Sequence, residues 1–170
     1  MVIWFTGFSG SGKTTLSNEL KKLLISHKKS VKIIDGDIIR NSSNEKLDFS
    51  TEGILYNNKR IINMCLKLIK KYDYIIVSVI APFEKTRMEA RKKIGSLYVE
   101  VFVKAKMATV IKRDTKGLYK RAIKGEINDF IGIDKKTPYQ TPINPDIIIE
   151  TDKETVQESF QKIVGYLKID

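Results

Sequence analysis

The sequence predicts an α/β fold, a five-stranded parallel sheet flanked by helices, as one domain over residues 1–170. Three observations predict it. Strand-sized, β-rich apolar runs alternate with stretches of helical periodicity, which argues for repeated βα units and a parallel sheet buried on both faces. The first run leads straight into a glycine-rich loop that opens a helical pattern. The chain is long enough to bury one sizeable core, and no repeat, low-complexity segment or linker divides it.

Strands are expected near residues 2–6, 31–35, 74–80, 98–103 and 146–150. After the glycine loop, Leu16, Leu20, Leu23 and Leu24 recur at helical spacing, and Ile61, Ile62, Cys65, Leu66, Leu68 and Ile69 do so before the third strand. Cys65 in that stripe reads as a small buried hydrophobe. At the end, Thr151 followed by Glu154 predicts a capping box, and Val156, Phe160, Ile163, Val164 and Leu167 form one stripe of a final helix. Residues 114–145 mix Gly, Pro, Lys and aromatic residues without periodicity, and so long an irregular stretch in a compact domain is expected to be functional.

The longest apolar runs are far shorter than a membrane span, and the start has no signal-peptide pattern, so no membrane partner and a cytoplasmic location are expected. One cysteine excludes an internal disulfide, and one histidine leaves no histidine-rich metal site; a metal here is expected to be Mg²⁺ held by oxygens. The net charge of +11 invites a nucleic-acid reading. Lysine carries the excess, 25 residues against 6 arginines, scattered along helical patterns without interleaved aromatics. A solvated face is therefore expected, with no nucleic-acid partner.

Within "WFTGFSGSGKTTL", Gly7, Gly12, Lys13 and Thr14 spell G-x-x-x-x-G-K-T. Backbone N–H groups of Gly7, Ser9, Gly10, Ser11 and Gly12 can point at phosphate oxygens, with the positive end of the following helix behind them. Lys13 can reach the β and γ phosphates, the Thr14 hydroxyl can coordinate Mg²⁺, and Thr15 completes the loop. ATP and Mg²⁺ are the cofactors this predicts. "VKIIDGDIIR" places Asp35 and Asp37 at the carboxyl edge of the sheet, where either can orient an acceptor hydroxyl or both can brace the turn. Gly36 suggests a sharp exit from the strand, and Arg40 can return its fork to an anionic acceptor.

With "GFSGSGKTT", "DGDIIR", "LDFS", "SVIAPF", "RDTKGLYKRAIKGEINDFIGID" and "TPYQTP" in this order, the chain resembles adenylylsulfate (APS) kinases over nearly its whole length. The resemblance implies a P-loop kinase fold with a lid over about residues 114–145, transferring phosphate from Mg·ATP to the 3′-hydroxyl of a small nucleotide whose 5′ end carries a mixed anhydride. It implies Phe49 and Phe130 as a sandwich for the acceptor base, and Arg40, Asn57, Ile80, Gly117 and Leu118 as further acceptor contacts. Asp37 is implied as general base and metal neighbour with Thr14, Asp35 beside it, and Arg113 and Lys116 as the part of the lid over the phosphates. A homodimer is implied as well.

The chain departs from the family pattern F-S-x-x-D-R-x-E-N-I-R-R, reading "FSTEGILYNNKR". Ile54 stands where the family has an acceptor-contacting arginine, and losing that fork is expected to weaken anion binding by about 1.5–3 kcal/mol. Ala81 replaces a serine that many members carry. The chain opens on its first strand, where members commonly have an extension, a difference expected to alter the dimer contact or the nucleotide site. These edits predict a paralogue resembling the cytidine diphosphoramidate kinases of capsule biosynthesis, ahead of an authentic APS kinase and well ahead of a non-catalytic nucleotide switch.

Overall fold

The computed structural model describes residues 1–42 and 49–169. Leu47 and Asp48 of the "LDFS" segment lie outside the described residues. Five strands, β1 (Val2–Thr6), β2 (Val31–Asp35), β3 (Tyr74–Ser78), β4 (Tyr98–Lys104) and β5 (Ile147–Glu150), form one sheet in the order β2-β3-β1-β4-β5. Every pairing is parallel. The third strand ends two residues earlier than expected, because from Val79 the chain turns along the sheet's carboxyl edge, with Val79 and Ile80 lining the cavities there.

Around the sheet lie α1 (Lys13–Ser26), α2 (Gly36–Asn41), α3 (Thr51–Leu68), α4 (Glu84–Ile94), α5 (Met107–Arg113), α6 (Leu118–Ile123) and α7 (Val156–Leu167). None of them is long and apolar enough to cross a membrane. Alternation along β1 explains the two layers of core. Val2 and Trp4 pack with Ile61, Ile62 and Cys65 of α3 and Ala90 of α4, while Ile3 and Phe5 pack with Leu16, Leu20 and Leu24 of α1 and Ile163 of α7. The Cys65 thiol is pushed up to about 12 by burial, as an inert core residue requires. Edge strands β2 and β5 keep exposed positions, so the both-faces-buried pattern holds for the three central strands.

Two expectations change. The capping box belongs to Thr155 and Glu158, not Thr151 and Glu154: Thr155 Oγ1 accepts from Glu158 N at 3.2 Å, and Glu158 accepts back from Thr155 N at 2.7 Å. The same spacing occurs at both places. Glu154, however, is drawn back to Glu150 N and Lys162, which leaves residues 151–154 as a turn. The segment 114–145, expected to be irregular, contains helix α6. Both carboxylate oxygens of Asp114 cap it, accepting from Lys120 N and Tyr119 N at 2.9 and 3.0 Å, and these bonds hold the Asp114 pKa below the usual carboxylate range. Ala105, Val110, Tyr119 and Phe130 give this region its own small core, packed against Phe8 of the glycine loop.

Candidate active site

The loop between β1 and α1 is shaped by two glycines above all. Gly7 has φ 150°, and a Cβ there would drive into the Val103 carbonyl oxygen of β4; Gly12 precedes α1 at φ 106°. Among the described residues no side chain caps the first turn of α1, which leaves its N–H groups for an anion. Lys13 is folded back into this loop, its Nζ donating to Gly7 O at 2.9 Å and Phe8 O at 2.6 Å. Burial lowers its pKa to about 8, partly opposed by the Asp37 and Asp35 carboxylates, and the Lys116 charge lowers it further. A desolvated ammonium without a close carboxylate partner is a site for phosphate oxygens.

A cleft of about 700 Å³ opens on this loop. Ser9, Gly10, Ser11, Gly12, Lys13, Thr14 and Thr15 line one wall, Asp35, Asp37 and Ile80 another, and Arg113 and Lys116 a third. Asp35 is an N-cap: its Oδ1 accepts from Asp37 N at 2.9 Å and Ile38 N at 3.3 Å, so Gly36 begins helix α2 instead of an open turn. The cap leaves Asp37 as the exposed carboxylate of the helix's first turn. Its Oδ2 accepts from Lys116 Nζ at 2.6 Å, and this bond raises the Lys116 pKa. Arg113 ties the glycine loop to the end of β5, donating to Gly10 O at 3.4 Å, Thr151 Oγ1 at 3.1 Å and Thr151 O at 2.7 Å.

A second, small cavity of about 20 Å³ adjoins the cleft, and Asp37 and Ile80 line both. Arg40, Phe49, Ile54, Asn57 and Ile131 are among its walls. The Arg40 guanidinium lies 4.7 Å from the centre of the Phe49 ring. Ile54 is buried in an apolar cluster with Phe83 and Ile131, and Asn57 Nδ2 donates to Gly36 O at 3.4 Å. Phe130 is placed differently from Phe49. It is buried in the small core with Ala105 and Val110, its ring edge-on to Tyr119 at 5.0 Å, and its neighbour Ile131 faces the cavity. Gly117 (φ 65°) precedes α6 and Leu118 packs on the small core around Tyr119 and Phe130, and neither lines the cleft.

Two features of the site were not foreseen in the sequence. Tyr119, buried, donates its hydroxyl to Ser9 O at 2.9 Å and so pins α6 to the glycine loop. The "KGLYK" segment already contained that tyrosine, among motif residues read only for Lys116, Gly117 and Leu118. Behind the second cavity, Arg87 is 1% exposed and donates to Ala81 O and Gln140 O, both at 2.6 Å. It also pairs with Glu84 and with Glu100. The carbonyl it holds belongs to a non-glycine residue at φ 44°, a strained backbone that this contact helps to fix. Tyr139 of "TPYQTP" lies against the same guanidinium and shares a 3.0 Å hydrogen bond with Thr6. Nothing local distinguishes Arg87 from the surface cations of α4.

The donor set fits Mg²⁺. Thr14, Asp35 and Asp37 offer hydroxyl and carboxylate oxygens on one cleft, and among the described residues no group of three or more His, Cys, Asp or Glu forms an all-protein cage. A cation sharing its shell between one or two side chains and phosphates is the usual arrangement for this ion.

Comparison with known proteins agrees with this geometry. A profile of the family "Adenylylsulphate kinase" matches residues 1–150. The adenylyl-sulfate kinase of Gloeothece citriformis is 41% identical over 174 residues, 99% of this chain and 97% of its own length. That of Clostridium kluyveri is 38% identical over 167 residues, 98% and 83% of the two chains. Among solved structures, the Mycobacterium tuberculosis APS kinase in complex with AMPPNP and APS superposes with TM-score 0.89 at 33% identity, covering 98% of this chain and 96% of that one. A hexameric APS kinase from Thiobacillus denitrificans superposes with TM-score 0.70 at 26% identity, covering 98% of this chain and 28% of that one.

The expected capsule-pathway kinase of a cytidine nucleotide is overturned by these relatives, which match nearly the full length at about 40% identity and carry the adenylyl-sulfate kinase name. The edits at Gly53, Ile54 and Tyr56 therefore lie within an APS-kinase framework. With a profile match over most of its length and a phosphate loop facing a carboxylate across one cleft, the chain belongs to the adenylylsulphate kinase family of phosphotransferases with an alcohol group as acceptor.

Proposed function

We propose that this chain transfers the γ-phosphoryl group of ATP to the 3′-hydroxyl of adenylylsulfate, yielding 3′-phosphoadenylylsulfate and ADP. The observation that carries the reading is the position of Asp37, which lines both the phosphate-loop cleft and the small cavity walled by Phe49. A carboxylate at that junction meets a hydroxyl entering from one side and a phosphate chain lying on the other.

In this reading the N–H groups of the loop and Lys13 hold the β and γ phosphates, and the Asp37 carboxylate accepts the proton of the 3′-hydroxyl as its oxygen attacks phosphorus. Thr14 and Asp37 would hold Mg²⁺, which when bound neutralises phosphate charge. Lys116 leaves Asp37 as the phosphates arrive and turns its ammonium to the transferring group, while α6 limits entry of water. Arg113 keeps the loop and the end of β5 in register. On the acceptor side Phe49 offers a ring for stacking, Arg40 a guanidinium for the 5′ anhydride, and Asn57 and Ile80 the adjoining wall. In the same reading Phe130 reaches the base only when the lid rearranges.

The test is an ATP-consumption assay with adenylylsulfate, products identified by phosphorus NMR. ADP release matched by a new 3′-phosphomonoester resonance is expected. ATP binding with no such product would reject the proposal.

A further inference from the structure

Helix α3 places two consecutive asparagines on the acceptor-side cavity. Asn57 is 1% exposed and Asn58 2%, and both line the cavity beside Phe49. Each carboxamide is oriented by its amino group: Asn57 Nδ2 donates to Gly36 O, and Asn58 Nδ2 to Ile54 O at 2.9 Å. A carbonyl only accepts, so the nitrogen must face it and the amide oxygen is turned elsewhere. Both Oδ1 atoms are buried, and neither accepts a hydrogen bond among the described residues.

A buried acceptor without a donor destabilises the fold. At Asn58 that cost has no structural return. The residue falls on the apolar face of α3 with Ile54, Ile61, Ile62 and Cys65, where leucine would pack without penalty. The Ile54 carbonyl it touches already belongs to the backbone ladder of the helix. A polar atom kept where it weakens the ligand-free protein is suited to a donor that arrives with the ligand.

The rest of the cavity indicates what carries that donor. Phe49, Ile54, Val79 and Ile80 make apolar walls beside the Arg40 guanidinium, and amide oxygens, unlike that guanidinium, repel sulfate or phosphate. An aromatic base with an N–H at its edge satisfies both parts. As it stands the cavity has room for about one water molecule, so the walls part when the base enters.

We infer that Asn58 is a specificity-determining residue of the acceptor site: its carboxamide oxygen accepts the exocyclic N–H of the acceptor base. This rests on the acceptor proposed above, for which the donor is the 6-amino group of adenine.

The experiment compares wild type and Asn58→Leu with adenylylsulfate and with its hypoxanthine counterpart, in which a carbonyl oxygen replaces the amino group. Thermal unfolding of both proteins is measured without ligand. Wild type is expected to have a KM for the hypoxanthine substrate about tenfold above that for adenylylsulfate. Asn58→Leu is expected to raise the KM for adenylylsulfate about five- to tenfold, more than it lowers kcat, to narrow the preference between the two bases, and to unfold at a higher temperature. A lower Tm with an intact base preference would mark a structural asparagine and overturn the inference. Should the leucine variant not fold, the wild-type comparison decides, since equal use of the two bases also overturns it. Wild type that turns over neither substrate rejects the proposed function and this inference with it, whereas turnover without base preference rejects only the role of Asn58.

Discussion

Lys116 of the lid segment and Asp37 of the first turn of α2 stand 2.6 Å apart, Nζ to Oδ2, across the cleft. Both side chains are about half exposed, so the pair contributes well under about 1 kcal/mol and is readily exchanged. Its value is geometric, because it brings a cation of the 114–145 segment to the carboxylate that the proposed reaction needs beside the acceptor hydroxyl. Asp37→Asn is accordingly expected to lower kcat at least about a hundredfold while ATP affinity changes only a few-fold and Tm hardly moves. Steady-state kinetics beside calorimetric ATP titration check this; normal turnover would reject Asp37 as base.

Lys13 supplies a pH dependence. Burial lowers its pKa in the folded chain to about 8, against 10.5 for the free side chain. Between those values the unfolded chain binds more protons, so stability without ligand rises with pH from about 8 to 10.5. Phosphate needs the ammonium form, so ATP affinity should move the other way and fall as pH climbs through 8. Binding at pH 8–9 should then take up protons, visible as a calorimetric enthalpy that depends on buffer ionisation. Affinity that stays flat from pH 7 to 10 would contradict the assignment.

Tyr119 links α6 to the glycine loop through one part-buried hydrogen bond to Ser9 O. Tyr119→Phe keeps the ring packed on Phe130 and removes only the hydroxyl, so a stability loss of about 1 kcal/mol is expected. The KM for ATP should rise with it, because the loop carbonyl loses its anchor. Denaturant unfolding and ATP kinetics measure the two effects separately.

Arg87 is the buried charge behind the second cavity. Arg87→Leu leaves the Glu100 carboxylate, already raised in pKa by burial, to the more exposed Arg91 at 3.5 Å, and frees the Ala81 carbonyl. A loss of about 3–5 kcal/mol is expected, with Arg87→Leu/Glu100→Leu recovering much of it. Urea denaturation of the single and double variants tests the coupling.

Much of the architecture was legible locally. Strands β1 and β2 fall where their apolar runs end, and the loop at Gly7–Lys13 falls where the G-x-x-x-x-G-K-T spacing puts a tight turn between strand and helix. Asp35 and Asp37 look alike in "DGD", yet only the folded chain separates them into a helix cap and a cleft carboxylate. The Thr151 and Thr155 boxes are equally good in sequence, and the contacts of Glu154 with Glu150 and Lys162 choose between them. Ile54 shows the limit most plainly. Its loss of an arginine suggested a different substrate, whereas the fold seats it in an apolar cluster with Phe83 and Ile131 and leaves Arg40 as the guanidinium lining the cavity.

By itself, then, the sequence determined what is written in neighbouring residues: the βα alternation, the glycine loop with Lys13 and Thr14, and a carboxylate pair at a strand end. Tertiary structure decided what depends on partners distant in the chain. Lys116 reaches Asp37 across 79 residues, Tyr119 reaches Ser9 across 110, and Arg87 meets Gln140 across 53. Periodicity records which face of an element is buried, but a side chain's charge state and role follow from which groups surround it, and those are assembled only when the sheet closes its layers.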